Sequence, residues 1–358
     1  MTRPEIRNCS VDRTLSILSD TWSFLVLREM YLGARRFDQI QGVLGLPRST
    51  LSERLVRLTA GDVIDRRQYQ DAPPRFEYRL TESGQDLYLV ILSMLRFGDD
   101  WLAEGKKPPL ELVHTPCGHA CHPLSVCSSC RKPVRAVSVT YRDGPGAGTA
   151  PPPDRPRRRR FTGEDQYERG RPSSVSRTLQ IIGDRWSFLV LREAFFGVKR
   201  FDLLQDQLGI APNILADRLG RLVAQHILRR RKYHDQPERF DYHLTEMGRA
   251  LYLPMIEMMR WGDLWVSKRQ PLILTHRDCG DDFESLIVCD HCHARLRVQE
   301  MRYRVNYTPR YSAARKTSAL ITDSGADSPA PDETPRSGRD TSAPVRPSAT
   351  GRHRALDK

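Results

Sequence analysis

The stretch "FDQIQGVLGLPRSTLSERLVRL", residues 37–58, holds two short amphipathic runs on either side of Gly45. In the first, Phe37, Ile40 and Leu44 fall on one helical face. In the second, Leu51, Leu55 and Leu58 recur at i, i+4 and i+7, the spacing of a helix that buries one stripe. Gly45 permits a tight break between them, and Pro47 suits a helix start. Two short helices joined in this way predict a helix-turn-helix, whose second helix enters the DNA major groove.

The flanks agree. Upstream, Val11, Leu15 and Leu18 predict a helix over 11–19. Trp22, Leu25, Val26 and Met30 continue the pattern in another, ended by Gly33. Downstream, "VIDRRQYQ" (63–70) and "RFEYRLT" (75–81) are strand-like runs joined by "DAPP". Residues 82–102 then predict one long amphipathic helix with Leu87, Ile91, Met94, Leu95, Gly98 and Trp101 along one side. Four helices, a hairpin and a helix describe a winged helix-turn-helix, with the hairpin as the wing. The class is α+β, mainly α.

The whole pattern occurs twice. "SVDRTLSILSDTWSFLVLRE" from Ser10 returns as "SVSRTLQIIGDRWSFLVLRE" from Ser174, an offset of 164. The match runs without a gap from Ser10–Leu102 to Ser174–Val266, and it pairs Trp22 with Trp186, two expected core residues. Beyond it the offset becomes 162, so that His114 meets His276 and Cys117 meets Cys279. The expected order is a winged helix-turn-helix over 1–106, a small cysteine-rich knuckle over 107–141, a Gly/Pro/Arg-rich linker over 142–172, a second winged domain over 173–269, a second knuckle over 270–306 and a disordered tail over 307–358.

Several of these stretches carry a family resemblance. "CSVDRTLSILSDTWSFLVLREMYLGARRFDQI", "LSERLVRL" and "PPRFEYRLTESG" resemble the HxlR family of bacterial winged helix-turn-helix transcription regulators. "DRWSFLVLREAFFGVKRFDLL", "APNILADRLGRL" and "ERFDYHLTEMGRAL" do so in the second copy. The resemblance covers roughly half of the chain and implies DNA binding by a homodimer joined through terminal helices. Two copies in one chain then imply an intrachain pseudo-dimer, with the helices at about 82–104 and 246–268 as its seam.

A recognition helix turns apolar residues inward and short polar or basic ones outward. In copy one the outward candidates are Arg48, Ser49, Thr50, Ser52 and Arg57. The matching positions in copy two are Pro212, Asn213, Ile214, Ala216 and Arg221. Because the tips differ, the halves are expected to read unlike half-sites of an imperfect inverted repeat. Arg54 and Arg218 are candidates for a phosphate contact or for a salt bridge to a nearby carboxylate. Wing residues Arg66, Arg67, Arg75 and Arg79, with Arg230, Arg231, Lys232 and Arg239, would supply affinity and salt dependence rather than sequence choice. Any one of these arginines could equally be a solvated surface charge. The run "RPRRRR" at 155–160 reads as solvated linker that adds non-specific attraction to DNA.

"HTPCGHACHPLSVCSSC", residues 114–130, packs four cysteines and three histidines together. The second copy has Phe283 in place of Cys121 and Asp281 in place of His119. Both copies keep one set: His114, Cys117, Cys127 and Cys130, and His276, Cys279, Cys289 and Cys292. Three cysteines and a histidine in two chelating turns suit structural Zn2+ in a ribbon-like knuckle. The expectation is two such sites, one per copy. In copy one His119, Cys121 or His122 could replace His114, and in copy two His291 and His293 are near. Cys9 stands apart before the first helix. Some members of the resembled family use a cysteine there to sense oxidants, whereas the plainer reading is a quiet half-buried thiol.

A net charge of +13 over 358 residues favours a polyanionic partner, here double-stranded DNA. An apolar content of 39% leaves room for disordered segments. No apolar run approaches a membrane span, and the N-terminus lacks a secretory h-region, so a cytoplasmic protein is expected. No phosphate loop, nucleophile triad or open metal position points to an enzyme. A small-molecule or redox effector would fit a regulator. The competing reading is a zinc-stabilised protein-interaction module without specific DNA binding.

Overall fold

The second helix of each copy opens on an aspartate cap. In the computed structural model, which describes residues 6–18, 20–150, 171–267 and 269–307, Asp20 accepts a hydrogen bond from Ser23 N and opens the second helix. Asp184 does the same for Trp186 and Ser187 in the other copy. The run "RPRRRR" and almost all of the tail lie outside the described residues. Copy one comprises α1 (Ser10–Leu18), α2 (Thr21–Tyr31), α3 (Phe37–Leu44), α4 (Arg48–Ala60), α5 (Glu82–Asp86) and α6 (Tyr88–Leu102). Copy two comprises α7 (Ser174–Ile182), α8 (Arg185–Phe195), α9 (Phe201–Leu208), α10 (Pro212–Ala224), α11 (Glu246–Ala250) and α12 (Tyr252–Trp265). Gly45 and Gly209 take left-handed conformations after α3 and α9, which lets the chain turn at once into the next helix. The wings are antiparallel hairpins, Ile64–Gln70 with Arg75–Leu80 and Leu228–Asp235 with Glu238–Leu244.

The long terminal helix expected over 82–102 is two helices, broken at Leu87. The short first piece is capped by Thr81 and sits on the base of the wing. Gly84 lies so close to the Val63 carbonyl that a Cβ would overlap it. The same break occurs at Leu251. Trp101, expected on the buried side, is 38% exposed.

The copies interlock. α1 packs on α12, and α7 packs on α6; α6 and α12 also touch each other. Thr14 Oγ1 donates to the Met258 carbonyl at 2.8 Å, and Thr178 Oγ1 to that of Met94 at 2.7 Å. Ser10 donates to Asp263 and Ser174 to Asp99. At the two crossings stand Gly98 and Gly262, where a Cβ would run into the carbonyls of Ser174 and Ser10. One hydrophobic cluster draws on both copies, from Leu25, Leu51 and Leu92 to Leu189, Leu219 and Trp261.

The two cysteine-rich segments do not close on themselves as separate knuckles. Leu110–His114 pairs with Met301–Val305, and Leu272–His276 pairs with Val139–Asp143. Pro123–Cys127 pairs with Ser285–Cys289. Each closing strand therefore belongs to the other copy. The start of the expected linker is ordered too: Thr149–Ala150 pairs with Ile6–Arg7, and Gly144 and Gly146 donate to the carbonyls of Pro271 and Gln270.

The crossings carry a pH signature. Burial pushes the carboxyls of Asp99 and Asp263 up to about 6, against the downward pull of their serine hydrogen bonds. A folded pKa above the unfolded value of about 3.9 means that the folded chain keeps a proton the unfolded chain releases. This contribution to stability is full below about pH 4 and is lost as pH rises through about 6. The double variant Asp99→Asn, Asp263→Asn should therefore be more stable than its parent at neutral pH, with the gain shrinking towards pH 4. Urea unfolding of both chains at matched pH checks this, since common terms cancel in the difference. A gain of equal size at both pH values would refute it.

Candidate nucleic-acid interface and metal centres

The second helix of each helix pair, α4 and α10, buries three leucines: Leu51, Leu55 and Leu58 in one, Leu215, Leu219 and Leu222 in the other. Its opposite side is open. Arg48, Ser49 and Ser52 are exposed on α4, while Thr50 is half-buried. Pro212, Asn213, Ala216 and Arg221 are exposed on α10. Ile214, expected outward, packs on the core instead. Arg48 lies over the Phe37 ring at 4.9 Å, and Arg57 pairs with Glu53 one turn back at 3.2 Å.

Arg54 and Arg218 settle on the structural of their two expected roles. Arg54 Nε donates to Asp20 Oδ2 at 2.9 Å, and Arg218 Nε to Asp184 Oδ1 at 2.9 Å. The carboxylates they hold are the caps of α2 and α8, so each arginine ties its outer helix to the helix behind it. Burial works against the Arg54 charge, but the bonds to Asp20 win and raise its pKa. These two side chains therefore have a structural role in joining the helices.

The wings are cationic. Arg67, Arg75, Arg79, Arg231 and Arg239 are exposed, although Arg79 pairs with Glu77 at 2.7 Å and Arg67 with Asp65 at 3.5 Å. Lys232 pairs with Glu238 at 2.7 Å. Arg66 stacks over Phe76 at 3.6 Å and Arg230 over Phe240 at 4.8 Å, so both hairpins carry the same aromatic brace.

All eight expected ligands gather into two clusters, but across the copies. The first is His114, Cys117, Cys289 and Cys292; the second is Cys127, Cys130, His276 and Cys279. The expectation of one site per copy is corrected. Each chelating turn that holds the histidine meets the Cys-x2-Cys turn of the other copy, because the strands between them are exchanged. Cys117 and Cys289 sulfurs lie 3.9 Å apart, as do those of Cys127 and Cys279. His114 Nδ1 is 3.4 Å from Cys117 and 3.3 Å from Cys292. His276 Nδ1 is 3.2 Å from Cys130 and 3.7 Å from Cys279. A tetrahedron with Zn–S near 2.3 Å and Zn–N near 2.05 Å has edges of about 3.8 Å and about 3.6 Å, so the donor set fits. No disulfide forms, and both histidines are fully buried.

The alternative ligands have other places. His119 stacks on His291 at 3.5 Å between ring centres; with Cys117 they make a lesser, mostly exposed group. Cys121 is buried beside Cys289 and Asp290, and burial pushes its thiol well up. His293 occupies the left-handed position of its turn, as Arg131 does in the other. His122 and His293 join neither cluster. Cys9 is half-buried near the buried Arg192, whose pKa it helps raise. Reasoning from sequence missed Asp20 and Asp184 as anchors; an aspartate just ahead of each Trp-Ser was the available signal.

No described helix is long and apolar enough to cross a membrane. Comparison with known proteins agrees with the helix pair. An uncharacterized HTH-type transcriptional regulator of Mycobacterium tuberculosis is 42% identical over 137 residues, 38% of this chain and 87% of that protein. Another, from Synechocystis, is 38% identical over 97 residues, 27% of this chain and 72% of its own length. Among solved structures, the reduced form of the transcriptional regulator YodB from B. subtilis is 29% identical at a TM-score of 0.24, covering 26% of this chain and 93% of that one. Residues 17–106 and 181–270 each match the HxlR-like helix-turn-helix family. The chain therefore belongs to the HxlR-like helix-turn-helix family and carries that family's domain twice.

Proposed function

We propose that this chain is a sequence-specific DNA-binding regulator, a repressor or dual regulator, whose two winged helices act as an intrachain pseudo-dimer on an imperfect inverted repeat. The observation that carries the reading is a pair of exposed helix tips, unlike in sequence, borne by copies that share one core: Arg48, Ser49 and Ser52 on α4 and Pro212, Asn213 and Ala216 on α10. Arg48 and Arg57 suit guanine edges and Asn213 an adenine edge. Arg75, Arg231 and Arg239 suit phosphate, and Arg221 and Thr50 flank the base-reading residues. Both crossed clusters hold structural zinc, which fastens the two halves in one relative position.

Selection of bound sequences from a random DNA pool tests this. The expected product is two unlike half-sites in inverted orientation, spaced by about one helical turn or a multiple of it. Asn213→Ala should relax preference in one half-site only, costing about 1–3 kcal/mol there. Arg75→Ala and Arg239→Ala should weaken binding to all sequences and each lower the salt slope by about one. If Arg57→Ala and Arg75→Ala leave binding to every DNA unchanged, the reading fails, and an interaction module becomes the better description.

A further inference from the structure

The two copies build the same cavity position twice and fill it once. In the filled version, Tyr303 Oη donates to Tyr88 Oη at 2.7 Å in the core. The Tyr31 ring lies 5.1 Å from Tyr88. The Arg171 side chain is fully buried, with Nη2 3.3 Å from Glu29 Oε2. In the other version the corresponding residues are Tyr141, Tyr252, Phe195 and Arg7. There Tyr141 is 47% exposed and turns its ring edge-on to Phe196 at 4.8 Å. The Arg7 guanidinium lies over the same Phe196 ring at 4.6 Å. Copy one has Leu32 where copy two has Phe196, so only copy two offers an aromatic ring at the cavity wall for both side chains to pack on.

What they leave is a cavity of about 110 Å³, whose lining includes Phe195, Tyr252, Met255, Leu272 and Leu274 together with Cys9. Apolar cavities of about 150 Å³ hold a benzene ring, so this one suits a single ring or a branched chain of similar bulk. Its charged lining residues, Arg7 and Arg192, are both cations. Arg192 is only 4% exposed. Its Nε and Nη2 are committed to Glu193 at 2.8 and 2.6 Å, while Nη1 is buried with no hydrogen-bond partner among the described residues. A buried guanidinium whose Nη1 lacks a hydrogen-bond partner, with the Cys9 thiol also beside it at an apolar cavity, is complementary to a carboxylate attached to an apolar body.

We propose that this cavity binds a small amphipathic monocarboxylate, one per chain, with its carboxylate on Arg192 and Arg7 and its apolar body between Phe195 and Leu274. The asymmetry between Phe196 and Leu32 gives the duplicated chain one effector pocket rather than two. The proposal stands apart from the DNA reading, because its test uses the full chain without DNA.

Calorimetric titration with benzoate, phenylacetate and isovalerate, and with uncharged benzyl alcohol, decides it. At least one acid should bind saturably at one per chain, about tenfold more tightly than benzyl alcohol. Arg7→Met should remove most of that preference for the acid. Ala136→Phe, at the cavity wall, should abolish binding of acid and alcohol alike while the thermal unfolding profile and metal content stay at parental values. Arg7 is half-buried in an edge strand and its guanidinium packs on Phe196, so Met can replace its aliphatic stem and the variant remains informative if Ala136→Phe fails to fold. Absence of saturable binding by all three acids overturns the proposal. So does equal binding of acid and alcohol, a stoichiometry of two, or binding unchanged in Arg7→Met.

Discussion

A chain carrying Cys117→Ser and Cys292→Ser will hold one zinc ion, and a chain carrying Cys117→Ser and Cys130→Ser will hold none. The first pair removes two ligands from one crossed cluster. The second pair removes one from each. Sites confined to single copies predict the reverse, because Cys117 and Cys130 would then share a site. Elemental analysis of the purified variants separates the two arrangements without any assay of function. The stability effect should be large. Apparent binding free energies of structural zinc in small fingers are about 10–16 kcal/mol at neutral pH, as large as the whole stability of an ordinary domain. Loss of both ions should therefore melt the exchanged strands, while α1–α4 and α7–α10 keep part of their helicity. Strong chelation of the parent chain should have the same effect, and a chelated chain with unchanged unfolding would refute zinc as a structural element.

The second large effect is expected at the helix crossings. Gly98→Ala and Gly262→Ala should each destabilise the chain by about 1–3 kcal/mol, since the new methyl meets backbone that cannot rotate away. Together they should loosen the grip of α7 on α6 and of α1 on α12. Specific DNA affinity should then fall towards that of a lone half-site. Gly220→Ala supplies the control. Gly220 lies in α10 with nothing near the position of a Cβ, and the first copy has Val56 there. The same substitution should stabilise at this site by about 0.5–1 kcal/mol, because alanine is the better helix former. Denaturant unfolding of the three single variants reads the contrast. Equal effects at all three would mean that the crossings are not tightly packed.

The helix pair, the wing and the duplication were legible in the sequence because each leaves a periodic trace: leucines at helical spacing, strand runs around "DAPP", a repeat at constant offset. The Cys and His residues that gather into the two clusters were legible as a set for the same reason. Their grouping was not. Two copies with identical spacing satisfy pairing within a copy and pairing between copies equally well, and only the exchange of strands such as Val139–Asp143 decides between them. The break at Leu87 was hidden because no proline marks it, and the close approach of Gly84 to the Val63 carbonyl beside it is a tertiary contact. Arg54 offered two partners on paper. The cap Asp20, 34 residues earlier, settles the choice only once α2 and α4 are packed. The open cavity could have been suspected by aligning Leu32 with Phe196, but which way Tyr141 turns depends on the packed interior.

The crossed ligands also set a timetable for synthesis. Cys117 cannot meet Cys289 until 172 further residues have been made. At about 5–20 residues per second, the first half waits roughly ten to thirty seconds with a pair of unfinished chelating turns. During that interval its thiols, and the strand Leu110–His114, are open to oxidation or to the matching segments of another nascent chain. Dense ribosome traffic on one message would bring such segments together, and interlinked chains would be the product. Slow initiation, or a holding chaperone at the first half, would keep each chain's metal sites its own.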